Sequence, residues 1–313
     1  MEHIYYLSED KKTNIHAVKW LPDGKPKGVV QIIHGMCEYA ERYAPFAEFL
    51  SARGYIVCAE DHAGHGKSAA TKDELGWFNE KHSLDTVIAD IRTLHQMMKA
   101  EAARLPYFVM GHSMGSFFCR KYISMYGTEL AGAIIMGTGF KGAPLMNTAL
   151  VMTRLNATFK GWRNRSKFIK SLAFGSYNKR FKSENNALSW LSVNTDNTES
   201  YKANEFCNFD FTNNGYFVLF SAIKSACSKR TVASVPKNLP VYFVAGSCDP
   251  VGDFGKGVIK AYEKFKKSGI AKVDITLYDN ARHEILNDIC KEQTYADLLN
   301  FLNKNSSVLL QKI

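Results

Sequence analysis

No apolar run in this chain approaches the ~18 residues of a membrane-spanning helix; stretches such as Val29 to Ile33 have strand length. The first residues, Met1-Glu2-His3-Ile4-Tyr5-Tyr6, have neither the basic start nor the apolar centre of a secretory leader. The expectation is therefore a cytoplasmic protein, at most peripheral to a membrane. Cysteine occurs seven times, an odd number, at 37, 58, 119, 207, 227, 248 and 290, with no CxxC pair and no zinc-type spacing. That argues against a disulfide framework or a thiolate metal site and for free thiols in a reducing compartment. Cys37 and Cys248 flank the site derived below, so thiol reagents are expected to block access to it. Internal repeats, low-complexity tracts and Gly/Ser linkers are missing too, which removes solenoids and tethered modules from consideration.

Basic residues outnumber acidic ones most heavily in one stretch. Between 141 and 230 there are fourteen Lys and Arg against five Asp and Glu, so this segment holds +9 of the net charge of +10. Such a patch suits an anionic partner: a phospholipid surface, an acidic substrate or a nucleic acid. A solvated basic surface with no partner accounts for it equally well. No recognised nucleic-acid motif accompanies the charge, and no nucleic-acid partner is expected.

Outside that stretch, short apolar strands alternate with amphipathic helices. Residues 3–8 and 14–20 read as a hairpin. Strands are expected at 28–33, 55–59, 107–110, 131–136, 241–245 and 272–278. Helices are expected at 40–52, 83–103, 113–126, 257–267 and 285–303, the second with Val87, Ile91, Leu94 and Met98 along one face. This order predicts an α/β protein, a mostly parallel central sheet flanked by helices on both faces. The alternation stops between 138 and 235, where the chain is basic, Asn/Ser-rich and aromatic. The expected organisation is a core of 1–137 and 236–313 with a mainly helical insertion, 138–235, over the C-terminal edge of the sheet. Trp162, Phe168 and Phe174 read first as filling for the insertion's own core.

Gly111-His112-Ser113-Met114-Gly115 is G-x-S-x-G between an expected strand and an expected helix. In that context the glycines permit a sharp turn that lifts a serine hydroxyl above the sheet, at a helix N-terminus that favours developing negative charge. A serine needs a base, and on such a scaffold the acid and the histidine follow it in that order. His283 is the sole histidine after Ser113. Asp249 is the first carboxylate past the strand at 241–245, with Asp253 as its rival. The oxyanion donors are expected to be the amides of Met114 and, from the loop His34-Gly35-Met36, of Met36. His34 is expected to brace that loop. His62 and His65 have the look of metal ligands but no third ligand at a fitting spacing, so loop bracing is the expected role and no metal site is predicted. Gly64-His65-Gly66-Lys67-Ser68 ends like a phosphate-binding loop, but position 61, where its first glycine belongs, is Asp.

These blocks resemble the α/β-hydrolases that include monoacylglycerol lipases, bacterial lysophospholipases and related carboxylesterases. The resemblance is carried by His34–Tyr43, Asp61–Ser68, the Ser113 turn, Gly246–Gly252 and Arg282–Asn287. It implies hydrolysis of a lipid-like ester, no cofactor, and a lid over an acyl pocket. Rival readings are an aminopeptidase or a thioesterase on the same scaffold, or a binding protein without activity. Dehalogenase and epoxide-hydrolase chemistry needs Asp where this chain has Ser113.

Overall fold

The computed structural model describes residues 1–310. Its eight strands form one sheet in the order β1-β2-β4-β3-β5-β6-β7-β8. They are β1 (Glu2–Leu7), β2 (Asn14–Trp20), β3 (Gly28–Ile33), β4 (Tyr55–Glu60), β5 (Tyr107–His112), β6 (Gly132–Met136), β7 (Val241–Gly246) and β8 (Val273–Tyr278). The β1–β2 hairpin adds antiparallel to β4, and every pairing from β4 to β8 is parallel. All residues of β3, β5, β6 and β7 are buried, as expected of strands covered on both faces.

Helices α1 (Ala44–Ser51) and α10 (Lys291–Leu310) cover one face through Phe46, Leu50, Leu298 and Leu302. Helices α2 (Leu84–Glu101), α3 (Met114–Tyr126) and α9 (Lys256–Lys267) cover the other, where Val87, Ile91, Leu94 and Met98 form the buried stripe of α2. The helix expected over 40–52 divides into a 3₁₀ turn, Ala40–Tyr43, and α1, with Pro45 in the first turn of α1. The last helix starts at Lys291, not at 285. Asp288 explains this: its carboxylate accepts the N–H groups of Arg282, Val193 and Ile289 and holds 282–289 as a turn.

Between β6 and β7 the chain makes five α-helices: α4 (Ala143–Lys160), α5 (Lys167–Phe174), α6 (Thr195–Ala203), α7 (Asn213–Ala226) and α8 (Lys229–Ser234). Ser166, Asn194, Thr212 and Ser228 cap the last four with side-chain oxygens. Arg120 of α3 ties the two parts together. Its fully buried guanidinium donates to the carbonyls of Gly139 (2.9 Å) and Ala226 (2.8 Å), at the start of the insertion and the C-terminus of α7. The partial negative charge of a helix C-terminus offsets a buried cation that pairs with no carboxylate among the described residues.

A second polar group lies beneath the sheet. Tyr107 donates to Gln31 (2.8 Å), and Gln31 donates to Glu60 (3.2 Å) and to the Ile91 carbonyl (3.0 Å). Burial pushes the Glu60 carboxyl up to about 8, against the opposing pull of the Gln31 and Tyr6 hydrogen bonds. The unfolded chain loses this proton near pH 4.5 and the folded chain near pH 8. The group's contribution to stability therefore falls as pH rises through that window. Glu60→Gln, which cannot ionise, should gain on the wild type by more than about 1 kcal/mol between pH 5 and pH 8 in denaturant titrations. A difference that does not change with pH would contradict the assignment.

Candidate active site

The site is built where β5 turns into α3. Ser113 sits at φ 53°, ψ −119°, a region that a residue with a side chain occupies only at a cost of roughly 1–3 kcal/mol. Both flanking glycines are required by close approach. A β-carbon on Gly115 would lie 2.0 Å from the carbonyl oxygen of Ile33, and one on Gly111 would lie 2.3 Å from that of Gly115. The turn is pinned from below by Ser113 N–H donating to the Met136 carbonyl (3.0 Å).

Two loops from the far half of the sheet converge on it. The segment after β7 and the segment after β8 are joined by Cys248 N–H donating to the Ala281 carbonyl (2.9 Å) and Ser247 N–H to that of Tyr278 (2.8 Å). This brings His283 Nε2 to 2.7 Å from Ser113 Oγ and His283 Nδ1 to 2.9 Å from Asp249 Oδ2. Asp249 is fully buried, and its other oxygen accepts the Val251 N–H (2.8 Å). Asp253 is exposed and lies outside this hydrogen-bonded chain. With the imidazole between a carboxylate and a hydroxyl, the set is able to move a proton off an attacking oxygen and return it to a leaving group.

Met36 and Met114 line the same cavity as Ser113. Met114 opens α3, so its N–H has no partner within the helix. Gly35 packs so closely on the serine that a β-carbon there would lie 2.9 Å from Ser113 Cβ. His34 braces its loop: it is buried, its Nδ1 meets the Gly35 carbonyl (2.7 Å), and its Nε2 accepts the His62 N–H (3.0 Å). Burial first, and then the nearby His62 and His65, hold His34 well below the usual imidazole range. His62 and His65 are buried in the same way, pulled down to about 4 and about 3. His65 Nδ1 meets the Ala63 carbonyl (3.1 Å), again a loop-bracing contact.

The structure adds a buried charge network that the sequence reading did not single out. Glu38 accepts from the Gly35 N–H, from Tyr43 Oη (2.8 Å) and from His112 Nδ1 (2.9 Å). Burial alone raises Glu38, but the charge and hydrogen bond of His112, with Arg42 and Tyr43, bring it down to about 2. Burial lowers His112, and Glu38 more than reverses this. Arg42 bridges Glu284 (2.5 Å) and Asn197 of α6 (2.8 Å). The loop before Glu38, the residue before the serine and the residue after His283 thus share one ion-paired cluster.

A cavity of about 670 Å³ opens over Ser113. Its walls come largely from the insertion, including Met146, Leu172, Phe174, Trp190, Leu191, Tyr216 and Leu219. The Trp190 ring lies 5.3 Å from that of His283, and no pattern in the sequence marks it. The three aromatic residues assigned to the insertion's core divide. Trp162 stacks on His82 at 3.7 Å, Phe168 is exposed, and Phe174, at the C-terminal end of α5, is cavity wall. All seven cysteines are free. Cys37 lines the cavity, but burial pushes its thiol well up, so it is a weak nucleophile there.

A monoacylglycerol lipase of Mycolicibacterium smegmatis is 36% identical over 118 residues, 38% of this chain and 40% of the relative. A monoglyceride lipase of Homo sapiens is 32% identical over 96 residues, 31% of this chain and 30% of the relative. The chain thus matches less than half the length of either. The solved structure of a thermostable carboxyl esterase from Bacillus coagulans, in complex with glycerol, superposes with a TM-score of 0.91 at 27% identity, covering 97% of this chain and 98% of that one. The sequence model of the family described as serine aminopeptidase, S33, matches residues 24–289. The chain belongs to that family and has the α/β-hydrolase fold.

Proposed function

We propose that the protein is a serine esterase acting on a lipid-like ester such as a monoacylglycerol or lysophospholipid. The observation that carries the reading is the Asp249–His283–Ser113 hydrogen-bonded chain opening into a large, mostly apolar cavity. In this reading Ser113 Oγ attacks the ester carbonyl while His283 Nε2 takes its proton. The Met36 and Met114 amides receive the oxyanion. His283 then protonates the departing alcohol, and the same imidazole activates the water that releases the acid. Asp249 keeps the proton of the resting imidazole on Nδ1 and stabilises the cation that forms.

The name of the matching family favours a second reading, an aminopeptidase. That chemistry wants a free carboxylate for the substrate's amine. Of the acids that line the cavity, Glu38 and Glu284 are engaged by His112 and Arg42, and Asp210 by Lys170. The ester reading therefore fits the walls better. It is also the reading suggested by the relatives named as lipases.

We take the insertion, residues 138–235, as a cap that brings the enzyme to its substrate. Among the described residues no helix is long and apolar enough to cross a membrane. Even so, α4 and α5 expose Leu145, Val151, Leu155, Phe159, Phe168 and Leu172, with Phe159 83% exposed. Lys141, Lys160 and Lys167 stand beside them in the chain. Leu145 and Leu172 also line the cavity, so this face surrounds the route to Ser113. Apolar side chains ringed by lysine suit the surface of an anionic bilayer.

Ser113→Ala should lower kcat for a monoacylglycerol or p-nitrophenyl ester by on the order of 10³–10⁶ while leaving the melting temperature near that of the wild type. Retention of a tenth of the activity would sink the assignment. In a panel of esters, lysophospholipid and proline-β-naphthylamide, turnover should favour the lipid esters; a preference for the naphthylamide would select the aminopeptidase. Sedimentation with phosphatidylserine-containing vesicles should pull the protein down at low salt and release it at high salt. The double variant Leu155→Glu/Phe159→Glu should bind more weakly by about tenfold or more. Equal, salt-insensitive binding to neutral vesicles would refute the surface.

A further inference from the structure

Away from the cavity, three metal-ligating side chains meet at the antiparallel edge of the sheet. They are His3 on β1, His16 on β2 and Glu41 in the 3₁₀ turn that follows the Met36 loop. One donor atom of each lies within 4.8 Å of the others, and among the described residues this is the one such group of three. We propose that these residues form a binding site for a divalent zinc-class cation, with water completing the coordination.

The argument rests on how His16 is held. Its ring is fully buried, and its Nδ1 is 2.7 Å from Asp61 Oδ2. The Asp61 carboxylate also accepts the N–H groups of Ala40 (2.7 Å) and Lys67 (2.8 Å). A carboxylate so used draws the imidazole proton to Nδ1 and leaves a lone pair on Nε2. A carboxylate behind the remote nitrogen is also what orients and strengthens a metal-bound histidine. Nε2 of His16 faces Nδ1 of His3 at 2.8 Å, so in the cation-free state the His3 proton occupies the gap. When a cation enters, that proton moves to His3 Nε2, and two lone pairs converge on one point.

The distances suit a small ion. Zinc bonds of about 2.0–2.1 Å in a tetrahedron separate the ligand atoms by about 3.3 Å. The two imidazole nitrogens stand at 2.8 Å, and His3 Nδ1 is 3.9 Å from Glu41 Oε1. The third separation, His16 to Glu41, lies within 4.8 Å. Bringing all three to about 3.3 Å takes shifts of roughly half to one and a half ångström in His3 and Glu41, whose side chains both reach solvent. Glu41 already holds a cation, the Lys67 ammonium at 2.5 Å, whose side chain is 41% exposed and free to leave into water. Tyr5 packs on His16 at 5.1 Å and bounds the site on the strand side. Two imidazoles and a carboxylate select zinc-like ions over magnesium or calcium. A cation here would bolt the β1–β2 hairpin to the turn after the Met36 loop, from behind the site and without entering its chemistry.

Equilibrium dialysis of tag-free, chelator-stripped protein against ZnCl2, read by metal analysis, should give one ion per chain and a higher melting temperature. His3→Asn and Glu41→Gln are surface changes expected to keep the fold. Each should weaken uptake by about tenfold or more and remove the thermal gain, with ester turnover in the cation-free state unchanged. Absence of saturable uptake by the wild type at millimolar Zn²⁺ would overturn the proposal. So would a His3→Asn/Glu41→Gln double variant that binds as tightly as the wild type, since uptake would then lie elsewhere, for instance on the thiols.

Discussion

The structure depends on one tight contact, the packing of the Ser113 turn against β3. Gly115 lies against the carbonyl of Ile33 with no room for a methyl group, and Ser113 takes a backbone conformation disfavoured for any residue with a side chain. The parallel pairing of β3 with β5, the first turn of α3 and the burial behind them supply the free energy that holds it. In return the hydroxyl stands at the C-terminal edge of the sheet, at a helix N-terminus, packed against the Gly35 loop. Removing either glycine would disturb the serine, the loop at Gly35 and the sheet together.

Around that turn, charge does the positioning. Glu38 is a buried carboxylate held by hydrogen bonds from His112 and Tyr43, and Arg42 extends the set to Glu284 and the insertion. Losing one partner of such a pair leaves an uncompensated buried charge, at a cost of about 3–5 kcal/mol. The network also gives the insertion a stake in the site. Glu284 N–H donates to the Leu191 carbonyl (2.9 Å), and Arg282 pairs with Glu184, so the loop carrying His283 is fastened to the layer that walls the cavity. The cavity walls and the Asp249–His283–Ser113 geometry are mechanically joined.

Much of the core was legible in the sequence because each signal was local. Strands β3 to β7 are short apolar runs buried on both sides, β8 at the sheet edge is partly exposed, and all fell within two residues of their expected bounds. The Ser113 turn is marked by two glycines at fixed offsets, and His283 by being the last histidine in the chain. The C-terminal helix was misjudged because Asp288 diverts 282–289 into a turn through bonds to Val193 and Arg282, a partnership formed only on folding. The cluster of Glu38, His112, Arg42 and Glu284 was hidden for the same reason, although each of the four sits within five residues of a motif. Phe174 and Trp190 carry no periodic signal; whether an aromatic ring fills an insertion or walls a cavity depends on packing. No sequence spacing marks His3, His16 and Glu41, because the β1–β2 register and the packing of the Ala40–Tyr43 turn bring them together.

The central claim is that Ser113 is an activated nucleophile and not merely a serine in a strained turn. Treatment with a fluorophosphonate probe, followed by intact-mass and peptide mapping, tests it directly. The account predicts one label per chain, on Ser113, at a rate that drops sharply in His283→Ala and vanishes on denaturation. Absence of labelling in the folded protein, or labelling at the same rate without the imidazole, would contradict it.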